Sequence, residues 1–102
     1  MLKMKLRIEE TFWGINHRDG GYSEKVTADV TFPCEVGPVP EFGNGRRHFS
    51  IDAVTEKTIV LSVHYENNPS ADEKWRIRVG CKKDYAPRSF DGGYKYRFYV
   101  TE

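Results

Sequence analysis

Residues 2–12, which read LKMKLRIEETF, decide the fold because apolar and polar side chains alternate along most of the stretch. Leu2, Met4, Leu6, Ile8 and Phe12 are apolar, and charged or polar residues lie between them. A period of two is typical of a β-strand, in which successive side chains point to opposite faces. The stretch therefore predicts a strand with one face on a hydrophobic core and one face in water.

The same period recurs along the rest of the chain, and no window shows the 3.6-residue period of an amphipathic helix. Parallel strands would need crossover helices, so antiparallel pairing is expected. The sequence predicts an all-β fold: a six-stranded antiparallel sandwich or small partly open barrel built from three hairpins, with no significant helix. The further predicted strands are 22–32, 49–53, 59–65, 75–79 and 94–100.

Length and charge narrow the class of protein. The 102 residues suit a single domain, 1–102, and 16 Lys and Arg residues nearly balance 15 Asp and Glu residues. The alternating N-terminus lacks the apolar stretch of a signal peptide, and no run approaches the roughly 18 apolar residues of a membrane span. We therefore expect a cytoplasmic protein that does not enter a membrane. Two cysteines are too few for a disulfide scaffold, which predicts two reduced thiols.

If successive strands alternate in direction, the connecting loops fall at two ends of the domain. The Pro-rich segment 33–47 is then expected at the end that we call the bottom, and Cys34 lies there while Cys81 lies at the top. Cysteines at opposite ends are not expected to form a disulfide, unless the long second connection reverses the expected direction of the strands. The loops expected at the top are 13–21, 55–57 and 82–93.

Two short segments, Asp19-Gly20-Gly21-Tyr22 and Asp91-Gly92-Gly93-Tyr94, share one pattern. Asp side chains cap turns and glycine tolerates positive φ, so the pattern is typical of hairpin exits. Exposed amides beside glycine also form anion-binding concavities. Both segments lie in predicted top loops that carry cationic, aromatic and polar side chains. The candidate ligand-binding residues are Trp13, Asn16, His17, Arg18, Lys82, Lys83, Tyr85 and Arg88.

The first predicted hairpin places two carboxylates together. If Phe12 pairs with Tyr22, Glu10 faces Glu24 on the core side of the sheet. Two carboxylates that share one pocket raise the pKa of one of them, which general acid/base catalysis uses. Placement at a solvated rim of the core is the structural alternative.

The second predicted hairpin turns at Thr55-Glu56-Lys57 and sets His48 opposite His64 on the outer face. Two imidazoles at this distance could share a metal ion or respond to pH. Zinc sites in proteins use at least three protein ligands, so we predict no metal site here. Solvated surface histidines are the simpler interpretation.

Half of the basic residues are predicted to point outward from three strands. A basic sheet face with interleaved aromatics could hold single-stranded nucleic acid. Lys and Arg on exposed strands also improve solubility and discourage edge pairing, and the net charge of +1 favours that second interpretation. These outward basic residues are Lys3, Lys5, Arg7, Lys74, Arg76, Arg78, Lys95 and Arg97.

The sequence contains no nucleophile elbow, phosphate loop or dinucleotide fingerprint. We therefore expect a small non-enzymatic binding protein without a cofactor, whose top loops engage an anionic small ligand, such as a nucleotide or sugar phosphate, or an acidic protein surface. A phage or mobile-element accessory protein fits this description. The alternatives are a small hydrolase or isomerase that uses Glu10 and Glu24, and a structural subunit of a homo-oligomer.

Overall fold

The computed structural model describes residues 4–16, 18–43, 47–65, 70, 72–87 and 91–102. It confirms the all-β prediction, because these residues form antiparallel strands and no α-helix. The strands are β1 (Lys5–Asn16), β2 (Gly21–Pro33), β3 (Gly37–Pro38), β4 (Arg47–Val54), β5 (Thr58–Tyr65), β6 (Glu73–Arg78), β7 (Lys82–Tyr85) and β8 (Gly92–Thr101).

Two four-stranded sheets pack as a sandwich. The first sheet has the order β2-β1-β8-β7 and the second has the order β3-β4-β5-β6, so the fold is not a closed barrel. The predicted number of six strands is wrong, because β3 and β7 lie in segments predicted as loops. Neither has a period-two signal: β3 is two residues long, and β7 has one apolar residue, Tyr85. Only pairing with β4 and β8 makes them strands.

The predicted third hairpin is also wrong, because β6 and β8 belong to different sheets. β6 pairs with β5, and a turn at Val79 and Gly80 then carries the chain across to the first sheet, where it continues as β7. Gly80 adopts a φ of 85°, a conformation that favours glycine. The third hairpin of the chain is instead formed by β7 and β8, and it belongs to the first sheet.

The prediction of the two ends fails for a related reason. The Pro-rich segment after β2 runs back along the sandwich to Gly43, which lies beside the Glu10 carboxylate, so β4 begins at that level and runs toward the bottom. The turn 55–57 then lies at the bottom, where the Val79 amide donates to the Lys57 carbonyl over 2.7 Å. Cys34, beside Met4, and Cys81, beside Val100, share this end, with β1 and β8 between them. Both are free thiols, as predicted.

The pairing of β1 with β2 differs from the predicted register. Leu6 pairs with Phe32, and Glu10 pairs with Ala28. The next pair is Thr11 with Val26, so Thr27 is an extra residue that forms a β-bulge in β2. Because one residue of shift exchanges the two faces of a strand, Glu24 lies on the outer face, away from Glu10.

The core lies between the two sheets, over the first half of β1 and the second half of β8. Phe42, from the Pro-rich segment, stacks on Phe49 with ring centroids 5.9 Å apart and meets the edge of Tyr96. The buried apolar residues are Met4, Leu6, Ile8, Phe49, Ile51, Ile59, Leu61, Val63, Ile77, Tyr85, Tyr96, Phe98 and Val100. No helix in the described ranges has the length and apolarity to cross a membrane.

Glu10 is a buried carboxylate with an exposed fraction of 1%. Its two carboxylate oxygens accept hydrogen bonds from Thr27 Oγ1 at 2.8 Å and from the Tyr96 hydroxyl at 2.9 Å. Gly43 packs against the carboxylate with a φ of 65°, and a Cβ atom at that position would collide with it. Burial, followed by the Glu10 charge, raises the pKa of Tyr96 above its usual range.

The Tyr96→Phe substitution should lower the free energy of unfolding by about 1–3 kcal/mol, because the buried Glu10 carboxylate loses a hydrogen-bond donor. Tyr99→Phe is the matched control, since the Tyr99 hydroxyl donates to the more exposed Glu9 at 2.7 Å. Urea denaturation of both variants measures the difference. Equal losses would contradict a special role for the buried carboxylate.

The raised pKa of Tyr96 also predicts how stability changes at high pH. The unfolded chain loses a phenol proton near pH 10, whereas folded Tyr96 keeps its proton to higher pH. The contribution to stability is therefore complete below about pH 10 and is lost as pH rises above that value. Thermal melts between about pH 9 and 11 measure this effect. As pH rises, the melting temperature should fall less in Tyr96→Phe than in the wild type.

Candidate functional site

The first sheet extends beyond the sandwich as a three-stranded ribbon. β7 stops at Tyr85, which pairs with Tyr96, so β2, β1 and β8 continue without it. The described part of the chain is correspondingly elongated, with extents of 54 × 26 × 19 Å. We call residues 11–16, 18–26 and 92–95 the ribbon.

The ribbon exposes large apolar side chains on both faces. On the face that continues the core side, Phe12 is 43% exposed and packs only partly on Tyr94, with ring centroids 5.4 Å apart. On the other face Ile15 is 41%, Tyr22 57% and Val26 54% exposed. The second sheet does not cover these residues. The same alternation of apolar and polar residues therefore gives buried side chains at Leu6 and Ile8 and solvent-exposed side chains farther along β1 and β2.

The outer face of the ribbon is organised around Tyr22. Its ring stacks on Trp13, with centroids 6.2 Å apart and planes 25° apart. Its hydroxyl donates to Glu24 at 2.5 Å, and Lys95 forms an ion pair with the same carboxylate. The Lys95 ammonium, and then the Tyr22 hydroxyl, hold the pKa of Glu24 below its usual range. Three strands thus hold one aromatic and ionic cluster.

The tip of the ribbon is held by short polar contacts. Asn16 Oδ1 accepts a hydrogen bond from the Arg18 amide at 3.0 Å, and Asp19 Oδ1 accepts one from the Gly21 amide at 2.7 Å. The exposed Arg18 guanidinium and the exposed Lys25 ammonium form no ion pair within the described ranges. The ribbon therefore combines apolar surface with two cations that are available to a partner.

The structure divides the predicted ligand-binding residues. Trp13, Asn16 and Arg18 lie on the ribbon, whereas Lys82, Lys83 and Tyr85 lie on β7. His17 and Arg88 lie outside the described residues.

The residues on β7 already have contacts of their own. Tyr85 is buried, and its hydroxyl accepts a hydrogen bond from Arg47 Nε at 3.3 Å. Lys83 lies over the ring of Trp75 at 5.9 Å from its centroid. These side chains cover the side of the sandwich where β6 and β7 meet, and they do not face the tip of the ribbon.

The two Gly-Gly segments lie on opposite sides of β1, since Tyr22 pairs with Ile15 on one side and Gly92 pairs with Gly14 on the other. The Asp91 carbonyl accepts a hydrogen bond from the Ile15 amide at 3.0 Å. Gly92 lies so close to the Trp13 carbonyl that a Cβ atom would come within 2.7 Å of its oxygen. The second segment therefore pairs with β1 as one of the strands of the ribbon.

A groove of about 340 Å³ runs along the outer face, beside the ribbon. Its cations are already neutralised, since Arg97 pairs with Asp84 at 2.6 Å and Lys95 pairs with Glu24. Three acidic side chains and two basic ones line the groove, so its charge does not favour an anionic ligand. The lining residues are Glu9, Thr11, Glu24, Asp84, Tyr85, Ala86, Lys95, Tyr96 and Arg97.

The paired-carboxylate geometry is wrong, because Glu10 is buried inside the sandwich and Glu24 is exposed outside it. The opposition of His48 and His64 is confirmed, with ring centroids 6.5 Å apart. His64 Nδ1 lies 2.9 Å from the Asp72 carboxylate. Within the described ranges no three His, Cys, Asp or Glu side chains converge as metal ligands.

The predicted basic stripe is divided between the two sheets and is partly neutralised. The β1 and β8 strands are neighbours as expected, but Arg7 pairs with Asp29 at 2.8 Å and Arg97 pairs with Asp84. β6 belongs to the other sheet, where Lys74 pairs with Asp52 at 3.1 Å. The described structure therefore contains no continuous basic face.

The sequence pattern gave no sign that Phe12, Ile15, Tyr22 and Val26 are surface residues. Phe12 and Val26 follow the same alternation as true core residues, so pattern alone assigned them to the core. Strand length was the available signal, since β1 and β2 have 12 and 13 residues whereas β4 and β5 have 8 each. Strands this much longer than those of the facing sheet must extend beyond it.

Comparison with known proteins adds no assignment: no family model, no curated protein and no solved structure matches this chain.

The pKa of Glu24 tests the ionic cluster of the ribbon. We expect it to lie below the ordinary value of about 4.3 in the wild type and to rise in Lys95→Gln, because the Lys95 contact is its largest cause. Tyr22→Phe should raise it less. The contribution of this pair to stability is present above the ordinary pKa and is lost as pH falls through the folded value. NMR titration of the carboxyl carbon measures it, with Arg76→Gln as the control, and an unchanged pKa in Lys95→Gln would refute the cluster.

Proposed function

We propose that this chain is a small non-enzymatic binding protein that engages a partner protein through the ribbon. The single observation that carries this proposal is the exposure of Phe12, Ile15, Tyr22 and Val26 on an extension that the rest of the fold leaves uncovered. Four of the six large exposed apolar residues of the described chain are thus concentrated in one part of it. Apolar patches of this kind mark interaction sites on soluble proteins.

The composition of the ribbon also fits a protein interface. Trp, Tyr and Arg are the residue types that contribute most to binding hot spots, and Trp13, Tyr22 and Arg18 lie within this surface. Trp13 and Tyr22 are already stacked on each other, so little side-chain freedom is lost on binding. A preorganised aromatic pair therefore supplies the centre of the proposed contact.

The partner surface that we propose is apolar with an acidic rim. Arg18 and Lys25 supply positive charge around the aromatic pair, and a carboxylate opposite them would increase the rate of association. An anionic small ligand is supported less well, because the cations of the neighbouring groove already pair with carboxylates. A cytoplasmic location belongs to the same proposal, since both thiols are free, as a reducing compartment would keep them.

The double variant Tyr22→Ser with Val26→Ser should abolish partner binding. Affinity capture from the extract of the native cell, with the wild type and the variant as baits, measures this loss by quantitative mass spectrometry. We expect a protein that the wild type retains and that the variant loses by at least about tenfold, since two buried apolar contacts are worth more than 1.4 kcal/mol together.

The control is Arg76→Gln, an exposed change on the far sheet that should retain the partner. Equal loss in the control and in the ribbon variant would contradict the proposed surface. If the ribbon captures nucleic acid, or captures only a second copy of this chain, that molecule is the partner. Either result would overturn the proposal of a foreign protein partner.

A further inference from the structure

We propose that the free edge of β2, over Tyr22–Val26, binds an extended segment of the partner protein as an additional strand of the first sheet. This inference rests on the proposed function and specifies how the ribbon binds. It concerns main-chain hydrogen bonding, whereas the proposed function depends on exposed side chains. The two can therefore fail separately.

The direction of the β2 backbone groups follows from one backbone hydrogen bond and from strand alternation. The Cys34 amide donates to the Met4 carbonyl at 3.1 Å, so even-numbered residues of β1 direct their backbone groups toward β2. The bulge at Thr27 lies in β2, and the alternation in β1 continues through it. On the ribbon the partners of these even β1 residues are Gly21, Ser23 and Lys25.

The residues between those partners direct their amides and carbonyls away from β1. They are Tyr22, Glu24 and Val26, and among the residues that the structure describes β2 is the outermost strand of its sheet. Three N–H groups and three C=O groups therefore line an open edge. An extended peptide is the chemical species whose own backbone matches such a row of donors and acceptors.

The other long edges of the sandwich are protected by charge. The Val79 amide donates to the Lys57 carbonyl, so the residues of β6 that face outward are Lys74, Arg76 and Arg78. The same alternation makes Lys82 and Asp84 the outward residues of β7. Charged side chains on an edge strand discourage the addition of another strand. The fourth edge, β3, is only two residues long.

The ribbon edge of β2 lacks this protection. Tyr22 and Val26 are apolar and more than half exposed, and Glu24 is the one charged residue among the three outward positions. Natural sheets rarely leave an edge of this kind uncovered, because it pairs with any available strand. We infer that the edge is kept open because it has a binding partner.

Charge favours a foreign segment over a second copy of β2. Antiparallel self-pairing that sets Tyr22 opposite Val26 of the second copy also sets Glu24 directly opposite Glu24. Like charges directly opposite each other across two strands are destabilising. The expected segment therefore has apolar side chains opposite Tyr22 and Val26 and an uncharged or basic side chain opposite Glu24. The bulge at Thr27 ends the regular edge, which limits the pairing to residues 22–26.

A matched pair of variants tests the edge. Glu24→Pro removes the outward N–H and the carboxylate, whereas Glu24→Gln removes the charge and keeps the N–H. The probe is a linear peptide selected from a random display library on the intact chain and then synthesised. We expect Glu24→Pro to weaken binding of this peptide by at least about tenfold, the equivalent of one lost hydrogen bond, and Glu24→Gln by no more than about threefold.

A second measurement avoids any effect of proline on folding. In this measurement the peptide carries N-methyl groups on the alternate amides that would face β2. It keeps its side chains, but these amides cannot donate hydrogen bonds to the carbonyls of the β2 edge. It should bind the wild type at least about tenfold more weakly. Hydrogen exchange with the unmodified peptide should protect the amides of Tyr22, Glu24 and Val26.

The outcomes separate the two proposals. If N-methylation and Glu24→Pro leave the affinity unchanged while Tyr22→Ser with Val26→Ser abolishes it, the ribbon binds through side chains and the edge inference is wrong. If no peptide is selected, or if the ribbon variants leave its affinity unchanged, the edge inference is wrong. The proposed function fails only if capture of the partner protein is also unchanged in the ribbon variant. Protection of the same amides by concentration-dependent dimerisation, without peptide, would identify a second copy as the occupant and overturn the foreign segment.

Discussion

The Glu10 carboxylate is the constraint on which the rest of the structure depends. It is buried where the core ends, and it accepts hydrogen bonds from Thr27 and Tyr96, on the two strands that flank β1. Burying a charge is costly unless hydrogen bonds compensate it, so the surrounding backbone must deliver donors to this position. The Thr27 hydroxyl also lies 3.2 Å from the Glu10 carbonyl oxygen, and Thr27 is the bulged residue. The bulge and the buried charge thus occupy one place in the fold.

This arrangement determines where the candidate binding surface begins. On the C-terminal side of the bulge, the alternation of β2 places Val30 and Phe32 against the core. On its N-terminal side the faces are exchanged, and Tyr22 lies on the outer face beside Trp13. Gly43 closes the core over the carboxylate. Among the described strands, only those of the first sheet continue beyond this point.

The surface chemistry agrees with this division. Over the sandwich, ion pairs such as Arg7 with Asp29 and Arg97 with Asp84 satisfy the outer charges, and the outward residues of β6 are cationic. On the ribbon, one neutralised pair lies among exposed aromatic and aliphatic side chains. The protein therefore protects the edges over its core and leaves apolar surface on its extension, which is the distribution that we propose a partner recognises.

The sequence by itself determined the six strands that carry a period of two, because that period needs only the pleat of the backbone. The all-β class and the opposition of His48 and His64 follow from such local patterns, and the cysteine count predicted the free thiols. Tertiary structure decided everything that depends on which strands meet. β7 carries no pattern of its own, and the bulge at Thr27 has no local signal because its cause, Glu10, lies on another strand. Alternation also cannot distinguish Phe12 from Ile8, because only the extent of the facing sheet decides which of them is buried.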